Sequence, residues 1–168
     1  MLHPDIELRK SSMHGNGLFA RKFIPRGTVL WKYTPTSEIA YPQNQFDKFG
    51  KKHQDYLIRY AYWWKGKICL CTDISKFWNH SCDPNAAPVP SNSNKWDFAI
   101  RDIEKSEELT YDYGLLMDHT HILCNCPSPK CRYAIVRMHG NSKTMRELKI
   151  KALESEVYLD KVSQPLLG

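Results

Sequence analysis

Read as apolar and polar positions, the chain breaks into short runs separated by turn residues. Ser11-Ser12-Met13-His14-Gly15-Asn16-Gly17-Leu18-Phe19-Ala20 places a glycine-containing turn between two expected strands, while residues 1–10 carry little pattern of their own. Pro25-Arg26-Gly27 makes the next turn, and Val29-Leu30-Trp31 opens the strand after it. Between 43 and 60 the period changes. Phe46, Phe49, His53, Tyr56 and Tyr60 recur at three and four residues, which predicts an amphipathic helix over 43–60. Gly50 weakens that helix by roughly 1 kcal/mol relative to Ala. Tyr62-Trp63-Trp64 and Ile68-Cys69-Leu70-Cys71 flank Lys65-Gly66-Lys67 as a hairpin. Cys69 and Cys71 share one face of their strand and read as buried small hydrophobes.

Lys76-Phe77-Trp78-Asn79-His80-Ser81-Cys82-Asp83-Pro84-Asn85 breaks both periods. An aromatic pair leads into a dense polar run, which leaves through an Asp-Pro-Asn corner where Pro fixes φ and Asx side chains bond their own backbone. Side chains placed that way are usually there to bind something. A polar loop over 88–95 follows, then a strand from Trp96 to Arg101, a turn near Lys105-Ser106, and the run Glu108–Tyr113. In the tail, Thr144-Met145-Arg146-Glu147 is a capping box. Met145, Leu148, Ile150, Ala152, Leu153 and Val157 give its helix a broad apolar stripe, expected to pack back on the core, with a dimer contact as the alternative.

Composition narrows the class. With 168 residues, 42% hydrophobic and 12% aromatic, the chain is long enough for one domain with a real core and a short appendage. No apolar run approaches the roughly 20 residues of a membrane-spanning helix. The first residues mix charge and Pro and lack a signal-peptide pattern, so an intracellular protein is expected. A net charge of +6 raises the question of nucleic acid, but no run of five or more like charges occurs, and a solvated basic surface is the preferred reading. Six cysteines in a reducing compartment argue against disulfides. Three of them, in Cys124-x-Cys126-x4-Cys131, lie close enough together to favour metal. Four thiolates close a tetrahedral zinc site, so a fourth ligand must come from elsewhere.

Asn79-His80-Ser81-Cys82-Asp83-Pro84-Asn85 and Glu107-Glu108-Leu109-Thr110-Tyr111-Asp112-Tyr113-Gly114 are specific as a pair. With Gly15-x-Gly17 before them and the cysteine cluster after, they resemble the SET-domain family of protein lysine methyltransferases with a post-SET cluster, over roughly residues 5–133. The resemblance implies a mostly β fold with short helices: small sheets, a pseudoknot in which residues 76–85 pass through a loop near Tyr113, a zinc-bound C-terminal segment and a terminal helix. It divides the chain into a SET domain (5–116), a post-SET zinc segment (120–134) and a helical extension (135–168). It implies S-adenosylmethionine as methyl donor, contacted by His14, Gly15, Asn16, Gly17, Asn79, His80 and Tyr113, with His80 acting largely through its backbone. Tyr113 matches the family's catalytic tyrosine. Tyr111 stands where members carry Phe or Tyr, and a hydroxyl there restricts room for added methyls, which implies mono- or dimethylation. Cys82 becomes the fourth zinc ligand beside Cys124, Cys126 and Cys131. The implied partner is a protein with a lysine-bearing tail, usually a histone; a non-histone substrate and a non-catalytic binding module are the alternatives. A monomer is expected, nuclear in a eukaryote and otherwise cytoplasmic or delivered to a host. Two positions depart from the family: Thr28 stands where Glu is usual, and Lys76 where Arg is common, which keeps the charge but loses the bidentate fork.

The chemistry sets its own demands. A lysine amine, with a reference pKa of about 10.4, is protonated near pH 7 and has no lone pair to attack with. A dry, aromatic channel disfavours the charged form. Phe77, Trp78, Tyr111, Tyr113 and Tyr33 are the candidates to build one, and Glu38, Asp97, Asp102, Glu104 and Asp118 are candidates to attract a basic substrate.

Overall fold

The computed structural model describes residues 1–88, 96–115 and 121–136. The first glycine run folds as a hairpin of β1 (Ile6–Lys10) and β2 (Asn16–Ala20), paired antiparallel from Ile6↔Ala20 to Lys10↔Asn16. The turn needs Gly15, whose φ of 54° is a left-handed value that side chains disfavour. Gly17 lies inside β2 rather than in the turn. After β3 (Val29–Lys32) comes β4 (Glu38–Pro42), an edge strand whose exposed Ile39 and terminal Pro42 hide it from a periodicity reading.

The helix expected over 43–60 is divided. Gln43–Lys48 is a 3-10 turn, the chain extends through Phe49 and Gly50, and α1 runs only from Lys51 to Tyr60. Gly50 caps α1 in an extended conformation (ψ 151°) instead of sitting within it. The aromatic stripe survives the break, because Phe49 stacks on His53 at 4.5 Å and meets Tyr41 edge-on. Of the stripe, Phe46, Phe49 and Tyr60 are half-buried while His53 and Tyr56 are exposed, and the buried residue of α1 is Leu57. Next, β5 (Tyr62–Trp64) and β6 (Lys67–Cys71) form the predicted hairpin, and β6 pairs β4 on its other side. Leu57, Ala61, Ile68 and Leu70 bury α1 against this three-stranded sheet.

The polar run becomes a short 3-10 turn (Ile74–Phe77), then β7 (Asn79–His80) and β8 (Ala86–Pro88). It is followed by β9 (Trp96–Ala99), β10 (Glu108–Tyr111) and a 3-10 turn at Tyr113–Leu115. The largest sheet has the order β1-β2-β10-β8-β9-β3, with β7 also paired to β10. β10 is antiparallel to β2 but parallel to β7 and β8. Parallel neighbours need a crossing connection, and here β9, on the far side of β8, lies between β8 and β10 in the chain. Asn85, 1% exposed, locks this arrangement: its Oδ1 accepts from Thr110 N–H at 2.8 Å, and its Nδ2 donates to the Glu108 carbonyl and Glu107 Oε1, both at 2.9 Å. The main core, with Leu18, Ile24, Leu30, Ile103 and Leu109 all at 0–1% exposure, lies on one face of this sheet. The architecture is mostly β with short helices, as expected. A last hairpin, β11 (His121–Leu123) with β12 (Ala134–Val136), carries the cysteine cluster. The loop over 89–95 and the helix expected in the tail lie outside the described residues.

Candidate active site and thiol cluster

A cleft of about 550 Å³ opens between the main sheet and the α1 side of the molecule. One end is polar and basic, lined by Lys10, His14, Gly15, Asn16, Lys76 and Asn79; the other is aromatic, lined by Trp31, Tyr62, Phe77, Trp78, Tyr111 and Tyr113. Tyr33, expected in the aromatic wall, is 38% exposed and does not line the cleft. Trp31, two residues earlier and meeting Tyr33 edge-on at 6.5 Å, takes that place.

The polar end is organised by a carboxylate. Glu108, opening β10, accepts from Asn79 Nδ2 at 2.7 Å and from Ser11 Oγ at 2.8 Å. The same Asn79 nitrogen reaches the backbone carbonyls of His14 (3.2 Å) and Asn16 (3.0 Å). Glu108 therefore ties the β1–β2 turn to the polar run. Asn79 spends its amide nitrogen on the protein and keeps its Oδ1 for the cleft. Gly17 stands behind this wall, and a Cβ there would lie 2.0 Å from Glu108 Oε1. Glycine is needed at 17 for close approach, not for its dihedral freedom.

Pairing Asn79↔Thr110 and His80↔Tyr111 puts the polar run alongside the strand that leads to Tyr113. The Tyr113 hydroxyl donates to the Trp78 carbonyl. Burial, then the charge of Glu108, pushes its phenol up to about 12, so it stays neutral near pH 7. Tyr113 N–H donates to His80 Nδ1 at 3.1 Å. Nδ1 is thus an acceptor, and the ring proton sits on Nε2, 3.3 Å from Cys82 Sγ. Burial lowers the His80 pKa, with Arg132 acting in the same sense and Asp112 opposing it, which keeps the ring neutral.

Cys82 meets the C-terminal hairpin. Its Sγ lies 3.7 Å from Cys124 Sγ, and Cys131 Sγ lies 3.7 Å from the same atom. Cys82 N–H donates to Cys126 Sγ at 3.4 Å. In a tetrahedral site with zinc–sulfur bonds of about 2.3 Å, sulfurs stand roughly 3.8 Å apart, so these two edges fit that geometry. Burial opposes ionisation of Cys126, but backbone N–H groups from Cys82 and Ser128 outweigh it and bring the thiol to about 7. The ligand atoms of His80, Cys82, Cys124 and Cys126 also lie within 4.8 Å of one another. Because His80 Nε2 carries the proton, its ring suits a donor to Cys82 sulfur rather than a fourth ligand. The hairpin is clipped down further by Arg132, which grips fully buried Asp112 with two bonds of 2.7 and 2.8 Å.

At the aromatic end Tyr111, 1% exposed, donates to Asp97 Oδ1 at 3.3 Å. Tyr62 donates to Glu38 from the neighbouring sheet. Of the acidic residues expected to draw a basic substrate, Asp97 lines the cleft and Glu38 backs it through Tyr62. Asp102 instead accepts from Arg26 N–H in a turn, Glu104 is exposed beside it, and Asp118 lies outside the described residues. Sequence reasoning missed Glu108 as organiser, Trp31 as wall and Arg132 as clip. The first was legible as a carboxylate inside a half-buried strand; the other two depend on which distant elements meet.

Comparison with known proteins finds relatives along most of the chain. The profile of the SET domain matches residues 15–114. The Variant-silencing SET domain-containing protein of Plasmodium falciparum is 28% identical over 96% of this chain, and Histone-lysine N-methyltransferase 2B of Homo sapiens is 30% identical over 73% of it. The chain spans only 7% and 5% of the length of those two relatives. A crystal structure of KRYPTONITE in complex with mCHG DNA and SAH superposes with a TM-score of 0.56 at 22% identity, over 80% of this chain and 29% of that one.

Proposed function

Since the chain belongs to the SET-domain family, we propose that it transfers methyl groups from S-adenosylmethionine to lysine side chains of a protein substrate. The observation that carries the reading is the two-ended cleft, in which a polar, basic end and an aromatic end meet at Tyr113 and Trp78. Bound in the polar end, the donor supplies an electrophilic methyl group. His14, Gly15 and Asn16 offer backbone groups there, Asn79 its free Oδ1, and Lys76 a point charge for a carboxylate. Gly17 shapes that wall from behind. His80 holds Tyr113 through the backbone and leaves acid–base work to others.

The aromatic end excludes water around the incoming amine. Low polarity there disfavours the ammonium, and the neutral Tyr113 hydroxyl, anchored on the Trp78 carbonyl, presents its lone pairs for orienting the amine in line. Tyr111 keeps a hydroxyl in the same space, which favours transfer of one or two methyls over three. Cys82, Cys124, Cys126 and Cys131 hold a structural zinc that fastens the hairpin beside Tyr113. Histone lysine is the substrate named for several of the relatives, and a histone tail is the first substrate to test. The test is intact-mass spectrometry of core histones and of a whole-cell extract after incubation with S-adenosylmethionine, wild type beside Tyr113→Phe. Addition of one or two methyls by wild type, with at least a tenfold loss in Tyr113→Phe, is the expected result. Equal labelling by both, or none by wild type with donor bound, refutes it.

A further inference from the structure

Strand β9 presents Trp96 and Phe98 on one face, stacked at 6.3 Å, and therefore Asp97 and Ala99 on the other. The second face belongs to the core: Ala99 is 1% exposed and pairs with Ala86. A carboxylate on that stripe needs a reason. Asp97 opens into the aromatic end of the cleft, opposite Trp31 across β3–β9. Its hydrogen-bond donor among the described residues is the Tyr111 hydroxyl, on Oδ1 at 3.3 Å. Trp31 brings a buried indole N–H with no partner to the same wall.

Among the described residues no cation forms an ion pair with Asp97. From β10 it faces Tyr111; Tyr62 of β5, bonded to Glu38 of β4, and Cys71 of β6 line the same cleft, as do the cations Lys10, Arg59 and Lys76, none of which forms an ion pair with Asp97 among the described residues. Lys32 on β3 points to the other face, with its Nζ 4.8 Å from the Trp96 ring. The Met1 ammonium acts on Asp97 through its field and is itself bonded to the Lys32 carbonyl. A carboxylate desolvated without a paired cation costs free energy. No cation of the described residues completes this site, which leaves it open to a cationic ligand entering the cleft.

We propose that Asp97 is the proton-holding partner of the substrate amine, a positioning residue that acts through the Tyr111 hydroxyl. This rests on the methyl-transfer reading, which brings a lysine ammonium to this wall. The ammonium N–H proton passes to Tyr111 Oη while Tyr111 passes its own hydroxyl proton to Asp97 Oδ1. One N–H bond and one tyrosyl O–H bond break, one tyrosyl O–H and one carboxyl O–H bond form, and charge is conserved: an ammonium and a carboxylate become a neutral amine and a carboxylic acid. The amine lone pair appears inside the dry cleft without bulk water. Burial supports the exchange by raising the Asp97 carboxyl to about 7, where a group can both take and return a proton near neutral pH.

The experiment measures methyl transfer to core histones against pH for wild type, Asp97→Asn and Asp97→Glu. In parallel, n-butylamine, a probe of the lysine side chain, is titrated into each protein by NMR. Wild type should gain rate through an apparent pKa near 7. Asp97→Asn should lose at least tenfold at pH 7, lose that limb, and recover towards wild type above pH 9 as the lysine deprotonates by itself; Asp97→Glu should restore part of the limb. Butylamine should bind wild type at least fivefold more tightly than Asp97→Asn. A rate lowered equally at every pH, or butylamine binding indifferent to the substitution, overturns the proposal. Failure of the methyl-transfer reading looks different: wild type labels nothing, while butylamine still binds in an Asp97-dependent way.

Discussion

Gly17→Ala adds one methyl group, and two opposed effects decide its outcome. The φ of Gly17 is not among the left-handed values, so Ala fits the backbone. By itself the change would stabilise the fold by about 0.4–1 kcal/mol, because Ala has fewer unfolded conformations to lose. Against that, the new Cβ would stand 2.0 Å from Glu108 Oε1 and 2.8 Å from its Cδ. The Glu108 side chain can swing away, but only by releasing Asn79 Nδ2 and Ser11 Oγ, which it holds at 2.7 and 2.8 Å. Hydrogen bonds to a charged group contribute about 1.5–3 kcal/mol each, and a displaced carboxylate recovers part of this from water. The net expectation is a loss of about 2 kcal/mol, or roughly 6 °C in Tm at this chain length. S-adenosylmethionine binding should weaken about tenfold as Asn79 loses its anchor. A double-mutant cycle isolates the cause. In a Glu108→Ala background only Asn79 Nδ2, 3.0 Å from the new Cβ, remains close, so Gly17→Ala should cost markedly less in urea denaturation than it does in wild type. An equal cost in both backgrounds would refute the reasoning, and so would a Gly17→Ala protein as stable and as tight-binding as wild type.

Arg132→Met should destabilise by about 2–3 kcal/mol in urea denaturation, since it strands the fully buried Asp112 charge; Asp112→Asn in the same chain should recover part of that. Metal analysis should find about one zinc per chain in wild type and far less in Cys131→Ser or Cys82→Ser, whereas His80→Ala keeps it. Asp97 also leaves a mark on stability. Its folded pKa of about 7 lies above the ordinary 3.8, so the protonated form favours folding, and that contribution is lost as pH rises from about 4 through about 7. Asp97→Asn should therefore match wild type near pH 4 and exceed it at pH 8. The gain should be about 1–2 kcal/mol, discounted from the roughly 4 kcal/mol of the full rise because the cleft admits water.

Local chemistry was legible in the sequence, and long-range placement was not. Cys124, Cys126 and Cys131 were legible from their spacing, whereas Asn79, Tyr111, Tyr113 and Cys82 were singled out through the resemblance of their motifs; the structure gathers them around one cleft and one cluster. The β1–β2 and β5–β6 hairpins followed from alternation between turn residues. The break at Gly50 did not, because an aromatic stripe at helical spacing packs equally well on a 3-10 turn followed by a helix. That Trp31 rather than Tyr33 lines the wall depends on how β3 sits against β9 and the cleft, which a sequence reading has no means to see. Glu108 and Arg132 owe their roles to partners far along the chain, Ser11 and Asp112.

The position of β10 has a consequence for how this chain acquires its shape. It pairs with Leu18 on one side and with Asn79, His80 and Ala86 on the other, so the sheet's middle is filled by a strand synthesised after every strand it pairs with. Contacts so distant in sequence slow folding, because loop closure must come before they form. On a ribosome, the earlier strands emerge and wait with their inner edges open until Glu108–Tyr111 arrives. A chain stopped short of Tyr113 is expected to yield not a weakened version of this protein but an aggregation-prone one, because those edges are what β10 covers.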